Sequence, residues 1–436
     1  MGLLVGVGTT RPTFAYDYYY GIEWDTTVSN PIPTRIGKME LHQSLPLQSL
    51  MRRCILNDDG TVNYYLHAND STKRDNSANA NIDGSDGQVM VEIPDMYYRF
   101  EMQGTICRAL ISTEALPGFN KWAKSYVSAY EAALDRTVSA TPLLSSVVNL
   151  TAAYRGGGNQ ADWDELSKTQ LGRPATNISL TNFRLYARNR GSVNWNCNTY
   201  NAQRKLFWLF AIEYCNFNSQ ADFNAELTSE GYRQGGLSAG VTTLDSGKWD
   251  AFNGYYPIIP CGITNELGNA SGFVEYDMPS EYDETIKTVS VPSYRGVENP
   301  FGHVWKWTDG CKAIIQSDTE GGLSKFYVCD TPENYTSSGV ANYQHRGNLP
   351  RTEGYIKTIA LGEHGEIMPT ALGAGSTTYF CDYFYTNIPT SGEAERGVLF
   401  GGRSDSSTDA GFVCSRTNGT ASGASAHVGS RLCFEP

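Results

Sequence analysis

The sequence predicts an α+β fold. Three observations carry this. Helical periodicity is confined to three segments of the first half, short apolar runs punctuated by glycine and turn residues fill the second half, and long polar connections join them.

The chain opens on a tyrosine-rich run, Tyr16 to Tyr20, then Gly21-Ile22-Glu23-Trp24-Asp25 and a proline-punctuated stretch, Asn30-Pro31-Ile32-Pro33-Thr34. Residues 69–88 are rich in Asn, Asp, Ser and Gly and read as a loop. They divide residues 1–87, an N-terminal region, from residues 88–436, the main domain. Gln88–Pro94 and Lys124–Glu131 then read as strands. Residues 159–170 predict a helix capped by Asn159 and carrying Trp163 and Leu166. Residues 180–190 predict a second, with Phe183, Tyr186 and Ala187, stopped by Gly191. Residues 200–217 predict the strongest, because Tyr200, Gln203, Phe207, Phe210, Tyr214 and Phe217 recur three or four apart and share one face. Near the end, Val398–Phe400, Gly411–Cys414 and Ser430–Phe434 read as short strands.

Composition narrows the function classes. Charged residues make up 18% of the 436, below the typical ~25%, while there are 27 tyrosines and 44 glycines. Such a surface is covered by Tyr, Gly and small polar residues, which make contacts at low entropic cost. The net charge is −12 and no cluster of five basic residues occurs, which argues against nucleic acid and anionic membrane as partners. No apolar run is long enough for a transmembrane helix, and Met1–Gly6 lacks the basic and apolar regions of a signal peptide. The ten cysteines are scattered without a Cys-x-x-Cys pair, which disfavours zinc. Their even number allows a disulfide scaffold, but reduced, buried thiols are the expected state for a chain of this size without a signal.

Two segments carry a family resemblance. Gly296-Val297-Glu298-Asn299-Pro300-Phe301-Gly302-His303-Val304-Trp305-Lys306-Trp307-Thr308-Asp309-Gly310 resembles the core of proteins related to formylglycine-generating enzyme, which have a C-type-lectin-like fold. The ending, Gly397-Val398-Leu399-Phe400-Gly401-Gly402 through Gly429-Ser430-Arg431-Leu432-Cys433-Phe434, resembles the "R-G-G … G-x-R-L" close of the same superfamily, and the run Phe207–Tyr214 is similar to its internal helix ending in Glu-Tyr. Together these span residues 88–436 and imply a C-type-lectin-like domain of short strands, two or three helices and long loops, preceded by a small N-terminal region. Structural roles follow for five residues. Trp305 and Trp307 alternate on a strand and fill a core, Glu298 and Asn299 satisfy backbone groups in a tight loop, and Arg431 belongs to the closing motif. The order Glu-Asn-Pro differs from the Glu-Pro-Asn of calcium-binding lectins, so neither calcium nor any other cofactor is expected.

The enzymes of this superfamily use two cysteines five positions apart, or a His-x-x-x-His-x-Glu cluster on iron. Here Cys414 and Cys433 are nineteen apart, and none of the six histidines pairs at that spacing. No nucleophile elbow, phosphate loop or His-Glu-x-x-His occurs, and pairs such as Asp58-Asp59 or Asp162/Asp164 read as turns and helix starts. No catalytic activity is therefore expected.

Residues 402–429 are nearly all small and polar, yet they lie between apolar strands close to the end, so they do not read as a linker. They resemble the variable repeat of proteins diversified by retroelements, found in phage tails and on some bacterial surfaces. In that family asparagine codons mutate at adenines, giving mostly Asn, Asp, Ser, Gly, Thr, Ala, His, Tyr and Arg. The resemblance implies a ligand-binding face made of Arg403, Asp405, Ser406, Ser407, Asp409, Cys414, Arg416, Asn418, Thr420, Ser422, Ala424, Ala426 and His427. It further implies a non-catalytic phage tail receptor-binding protein located in the virion. Its partners would be a host bacterial surface protein or glycan, other tail proteins and copies of itself, as a trimer. Residues 1–87, which resemble parts of tail-associated proteins, would serve attachment or oligomerisation, unless they belong to the same compact domain. The other readings are a bacterial surface adhesin and a lectin-fold enzyme.

Overall fold

A computed structural model describes residues 17–245, 259–279 and 287–436. Met1–Gly6 and Tyr16 lie outside the described residues. The described chain is mostly β with few helices, consistent with an α+β fold.

Three sheets organise it. The first has five antiparallel strands in the order Thr34–Gly37, Tyr20–Asp25, Ile106–Ser112, Met96–Gln103, Asn120–Trp122. The second has seven, in the order Trp195–Cys197, Leu432–Phe434, Ser125–Ser128, Gln88–Ile93, Arg52–Leu56, Val62–His67, Asp70–Arg74. The third has nine. Its path runs Gln344–Asn348, Ser324–Val328, Trp305–Gln316, Glu393–Gly401, Gly411–Thr417, Tyr383–Thr386, Gly354–Leu361, Glu366–Leu372, and Val428–Gly429 adds in parallel beside Trp305 and Lys306.

The helix Tyr200–Tyr214 is wedged among these sheets. Thr199 caps it by accepting the Ala202 N–H, and Cys215 ends it in the left-handed region at φ 52°. It stops three residues short of the expected 217, although Phe217 still packs in the core. The expected apolar face becomes burial on all sides: only Asn201 of its fifteen residues is not buried. Trp208 meets Trp24 and Phe100 on one side, Tyr200 meets Phe326 and Phe400 on another, and Phe210 meets Tyr294 and Phe412. Its polar residues survive burial because each is paired. Arg204 bridges Glu366 and Asp330, Glu213 holds Arg295 in a bidentate pair, and the Gln203 amide donates to the Phe412 carbonyl.

The second expected helix forms over Leu180–Arg188 with Ser179 as cap. The first does not. Residues 159–170 hold only one 3-10 turn, Ala161–Trp163, with Asn159 at φ 65°. Tertiary bonds override propensity there: Arg155 clamps Asp164, and the Gln170 side chain accepts the Gln160 N–H.

Strands on either side of residue 88 share sheets and core. Tyr20–Asp25 pairs with Ile106–Ser112, and Arg52–Leu56 pairs with Gln88–Ile93. One apolar cluster joins Tyr20, Ile55, Trp208, Phe400 and Cys433. The run 69–88, expected as a loop, is loop only in part: Asp70–Arg74 forms the edge strand of the seven-stranded sheet and Gln88 opens its next strand.

Candidate ligand-binding face

The strand Gly411–Thr417 brings the C-terminal polar segment onto one side of the nine-stranded sheet. It pairs in parallel with Tyr383–Thr386, placing Arg416 beside Tyr385, and antiparallel with Glu393–Gly401, placing Arg416 beside Leu399. Leu399 in turn stands beside Trp307, so a row Trp307, Leu399, Arg416, Tyr385 crosses four strands. Alternation along Tyr383–Thr386 sends Phe384 into the core and leaves Tyr383 and Tyr385 half-buried on the outer side. Tyr355, opposite Tyr383 on the next strand, meets it edge-on with ring centroids 5.0 Å apart, and the Tyr383 and Tyr385 rings lie 4.6 Å apart. Asp409 fixes this aromatic wall by accepting the Tyr355 hydroxyl at 2.6 Å and the Tyr385 hydroxyl at 2.5 Å. Burial and the Asp409 bond both push these two phenols up, so they remain donors.

Two loops rise around the wall, and backbone bonds tie each to the scaffold. In residues 402–410, the Ser404 N–H donates to the His303 carbonyl, the Ser404 carbonyl accepts the Leu244 N–H, and the Ser407 N–H donates to the Thr242 carbonyl. In residues 418–427, the Gly397 N–H donates to the Gly419 carbonyl, and the His427 carbonyl accepts the Trp305 N–H. Gly419 and Gly423 lie over the Trp307 ring, where an added Cβ would stand 3.5 and 3.9 Å from it.

A buried ionic cluster anchors this framework. Glu131 reaches His303 Nδ1 at 2.5 Å and Lys306 Nζ at 3.0 Å, and Lys306 also donates to the Gly302 and Val304 carbonyls. All three side chains are at most 2% exposed. Burial alone would push the Glu131 carboxyl up, but Lys306 and His303 outweigh it and hold it down at about 2. Arg431 donates to the Ser128, Glu298 and Asn299 carbonyls, tying the last strand to the Glu298 turn. Asp382, also buried, accepts the Val413 and Cys414 N–H groups and sets the height of the strand Gly411–Thr417.

The residues expected on the face divide into three groups. Ser407, Thr420, Ser422 and Ala424 are exposed. Arg403, Asp405, Ser406, Asp409, Arg416, Asn418, Ala426 and His427 are half-buried. Many of these brace one another: Arg403 forms a bidentate pair with Asp405, Ser406 Oγ accepts the Arg403 N–H, Arg416 Nε donates to Asn418 Oδ1, Thr420 shares a hydrogen bond with Ser422, and His427 bonds Ser425. Burial, then the nearby Arg403 and Arg416 charges, push the His427 imidazole down to about 3.

Cys414 is a correction. It is fully buried, in the cluster that holds Trp305, Trp307 and Leu399, and cannot touch a ligand. Of the structural residues, Trp305 and Trp307 are buried in that same cluster. Glu298 accepts the Gly262 and Thr264 N–H groups and the Thr264 hydroxyl, whereas Asn299 contributes its backbone, at φ 47°, and its buried Oδ1 has no hydrogen-bond partner among the described residues.

Tyr355, Tyr383, Tyr385, Asp382, Glu131, His303 and Lys306 complete the site and lie outside the segment the sequence pointed to. One local signal was present, since Tyr383-Phe384-Tyr385-Thr386 alternates with the period of a strand.

A cleft of ≈240 Å³ opens at the edge of the face, lined by Thr420, Ala421, Ser422, Thr181, Lys312 and Arg396. A larger cleft of ≈520 Å³, lined by Trp122, Arg204, Lys205 and Glu435, shares no residue with 402–429. Among the described residues no group of three His, Cys, Asp or Glu could hold a metal ion. All ten cysteines are buried and unpaired, and burial pushes every thiol up.

No family model matches the chain, and no curated protein matches it. Among solved structures it is similar to PvdO from Pseudomonas aeruginosa, at 9% identity over 81% of this chain and 96% of that one, with a TM-score of 0.33. It is also similar to the Major Tropism Determinant U1 variant, at 12% identity over 88% of this chain and 72% of that one, with a TM-score of 0.29. Neither likeness is close enough to assign a family.

Proposed function

We propose that this chain is a non-catalytic recognition protein of a phage tail, C-type-lectin-like in fold, which binds a host bacterial surface protein or glycan through residues 402–429. It would act in the virion as a homo-oligomer, as a trimer, alongside other tail proteins. Repetition of the face would then multiply weak contacts into useful avidity.

The observation that supports this reading is the contrast between the frame and the tips of the two loops. Backbone bonds to His303, Thr242, Trp305 and Gly397 hold the loops to the scaffold, while the side chains of Ser407, Thr420, Ser422 and Ala424 are small and exposed. Such a frame tolerates new side chains without refolding, which a diversifying recognition surface needs. The tyrosine wall behind the loops offers rigid, amphipathic contact area of the kind binding proteins use.

The test substitutes Ser407, Thr420, Ser422 and Ala424 singly with Tyr and follows labelling of a panel of gut bacterial strains by the purified protein. The expected result is a changed set of labelled strains with Tm held within about 2 °C of the parent. An unchanged set for all four would contradict the reading.

A further inference from the structure

The face carries a cation poised for a ligand. Arg416 is half-buried and forms no salt bridge among the described residues. Its Nε donates to Asn418 Oδ1, and neither terminal amino group has a protein acceptor among the described residues. Arg403, by contrast, is already engaged by Asp405. A guanidinium fixed at Nε and open at its outer edge presents a planar, two-pronged donor, which matches a carboxylate in a bidentate pair.

What flanks that donor narrows the ligand further. Tyr385 stands beside Arg416 in register, Tyr383 follows on the same side of the same strand, and Tyr355 closes the row. The Tyr355 and Tyr385 hydroxyls are occupied by Asp409, so those rings are held still. The Tyr383 hydroxyl has no protein partner among the described residues. A wall of fixed phenol rings suits the C–H face of a sugar ring, and the free hydroxyl and the Ser and Thr side chains of the loops suit its hydroxyls. Large apolar side chains exposed on this protein, such as Val28, Ile32, Met102 and Leu323, lie outside residues 353–429. What the face offers a ligand is phenol rings, small hydroxyl side chains and the Arg416 guanidinium, a lining that suits a polar, saccharide ligand.

Resting on the recognition role proposed above, we infer that this face binds a carboxylate-bearing sugar of a surface polysaccharide, with the carboxylate on Arg416 and the ring against Tyr383 and Tyr385. Burial and the Arg403 charge disfavour the Arg416 cation more than Glu353 and Tyr385 support it, and an incoming carboxylate relieves part of that cost.

The test is binding of the full chain to a glycan array that holds hexuronate- and sialate-containing oligosaccharides, their carboxyl-reduced neutral parents and phosphate-bearing sugars. Wild type, Arg416→Gln, Arg416→Lys and Tyr383→Ala are compared at matched Tm. The expected result is a preference of about ten-fold or more for at least one acidic sugar over its neutral parent. Arg416→Gln abolishes that preference, Arg416→Lys keeps only part of it because the fork is lost, and Tyr383→Ala weakens acidic and neutral forms alike. The inference is overturned if no acidic sugar is preferred, if phosphate-bearing sugars are captured in place of carboxylates, or if Arg416→Gln keeps the preference. If the array is silent while the protein labels cells through residues 402–429, the ligand class is wrong and the recognition role stands. If cell labelling is indifferent to those residues, the role itself fails.

Discussion

At the scale of single residues, the account rests on charges taken out of water. Glu131 is the sharpest case, because it neutralises a buried Lys306 and bonds His303 under the loop frame. Glu131→Ala leaves Lys306 uncompensated, and we expect a loss of about 3–5 kcal/mol in urea unfolding. Its carboxyl is held at about 2 in the folded protein against an ordinary value of 4.5, so the folded state binds its proton less readily than the unfolded chain. The stabilisation is therefore present above the ordinary value and is lost as the pH falls from there through about 2. Unfolding followed against pH should show this acid loss in wild type and not in Glu131→Gln. His427 behaves differently. With its imidazole held down at about 3, it stays neutral across the range in which histidines usually titrate, about pH 5 to 8. Binding should be flat over that interval in wild type and in His427→Asn. A pH-dependent loss present only in wild type would show that the ring does titrate. The sequence pointed to the exposed members of the site through their small polar character. It did not point to Glu131, which lies 172 residues from His303, because a buried pair leaves no local pattern.

At the scale of elements, the strand Gly411–Thr417 decides the geometry of the face. Its start passes so close to Asp382 that a Cβ on Gly411 would fall 2.0 Å from the carboxylate. Gly411→Ala must therefore displace Asp382 from the Val413 and Cys414 N–H groups, at an expected cost of about 1–3 kcal/mol measured by thermal or urea unfolding. A neutral result would show that Asp382 does not set this strand. The elements that could be read from sequence were those with strong periodicity and their own caps. Leu180–Arg188 has Ser179 and Tyr200–Tyr214 has Thr199, and both formed near their expected limits. Residues 159–170 had periodicity without a lasting cap, and the Arg155–Asp164 clamp wound them into turns instead. Cys414 was misplaced for a related reason. A polar stretch containing a short apolar run does not reveal how deep each of its residues lies, because Cys414 is covered by Trp305 and Trp307, which are distant in sequence.

At the scale of the whole molecule, one core accepts strands from both ends of the chain. Leu432–Phe434 completes the sheet that also holds Arg52–Leu56, and Trp195 and Tyr126 pack on Phe434. Separation at residue 88 would cut that sheet, which composition could not reveal because the polar run 69–88 has the make-up of a linker. The ten thiols follow from the same packing. A thiol reagent should label almost none in the native protein and all ten after denaturation, and reductant should leave Tm unchanged. A Tm lowered by reductant would reveal a disulfide.

The central claim is that residues 402–429, framed by a rigid scaffold, recognise a bacterial surface. The most direct measurement compares labelling of a panel of gut bacterial cells by the wild type and by a variant with Arg403, Asp405, Asp409, Arg416 and His427 all changed to Ala, the two being matched by Tm. The expected result is that the wild type labels some strains and the variant labels none. Equal labelling by both would contradict it and place recognition on another surface of the molecule.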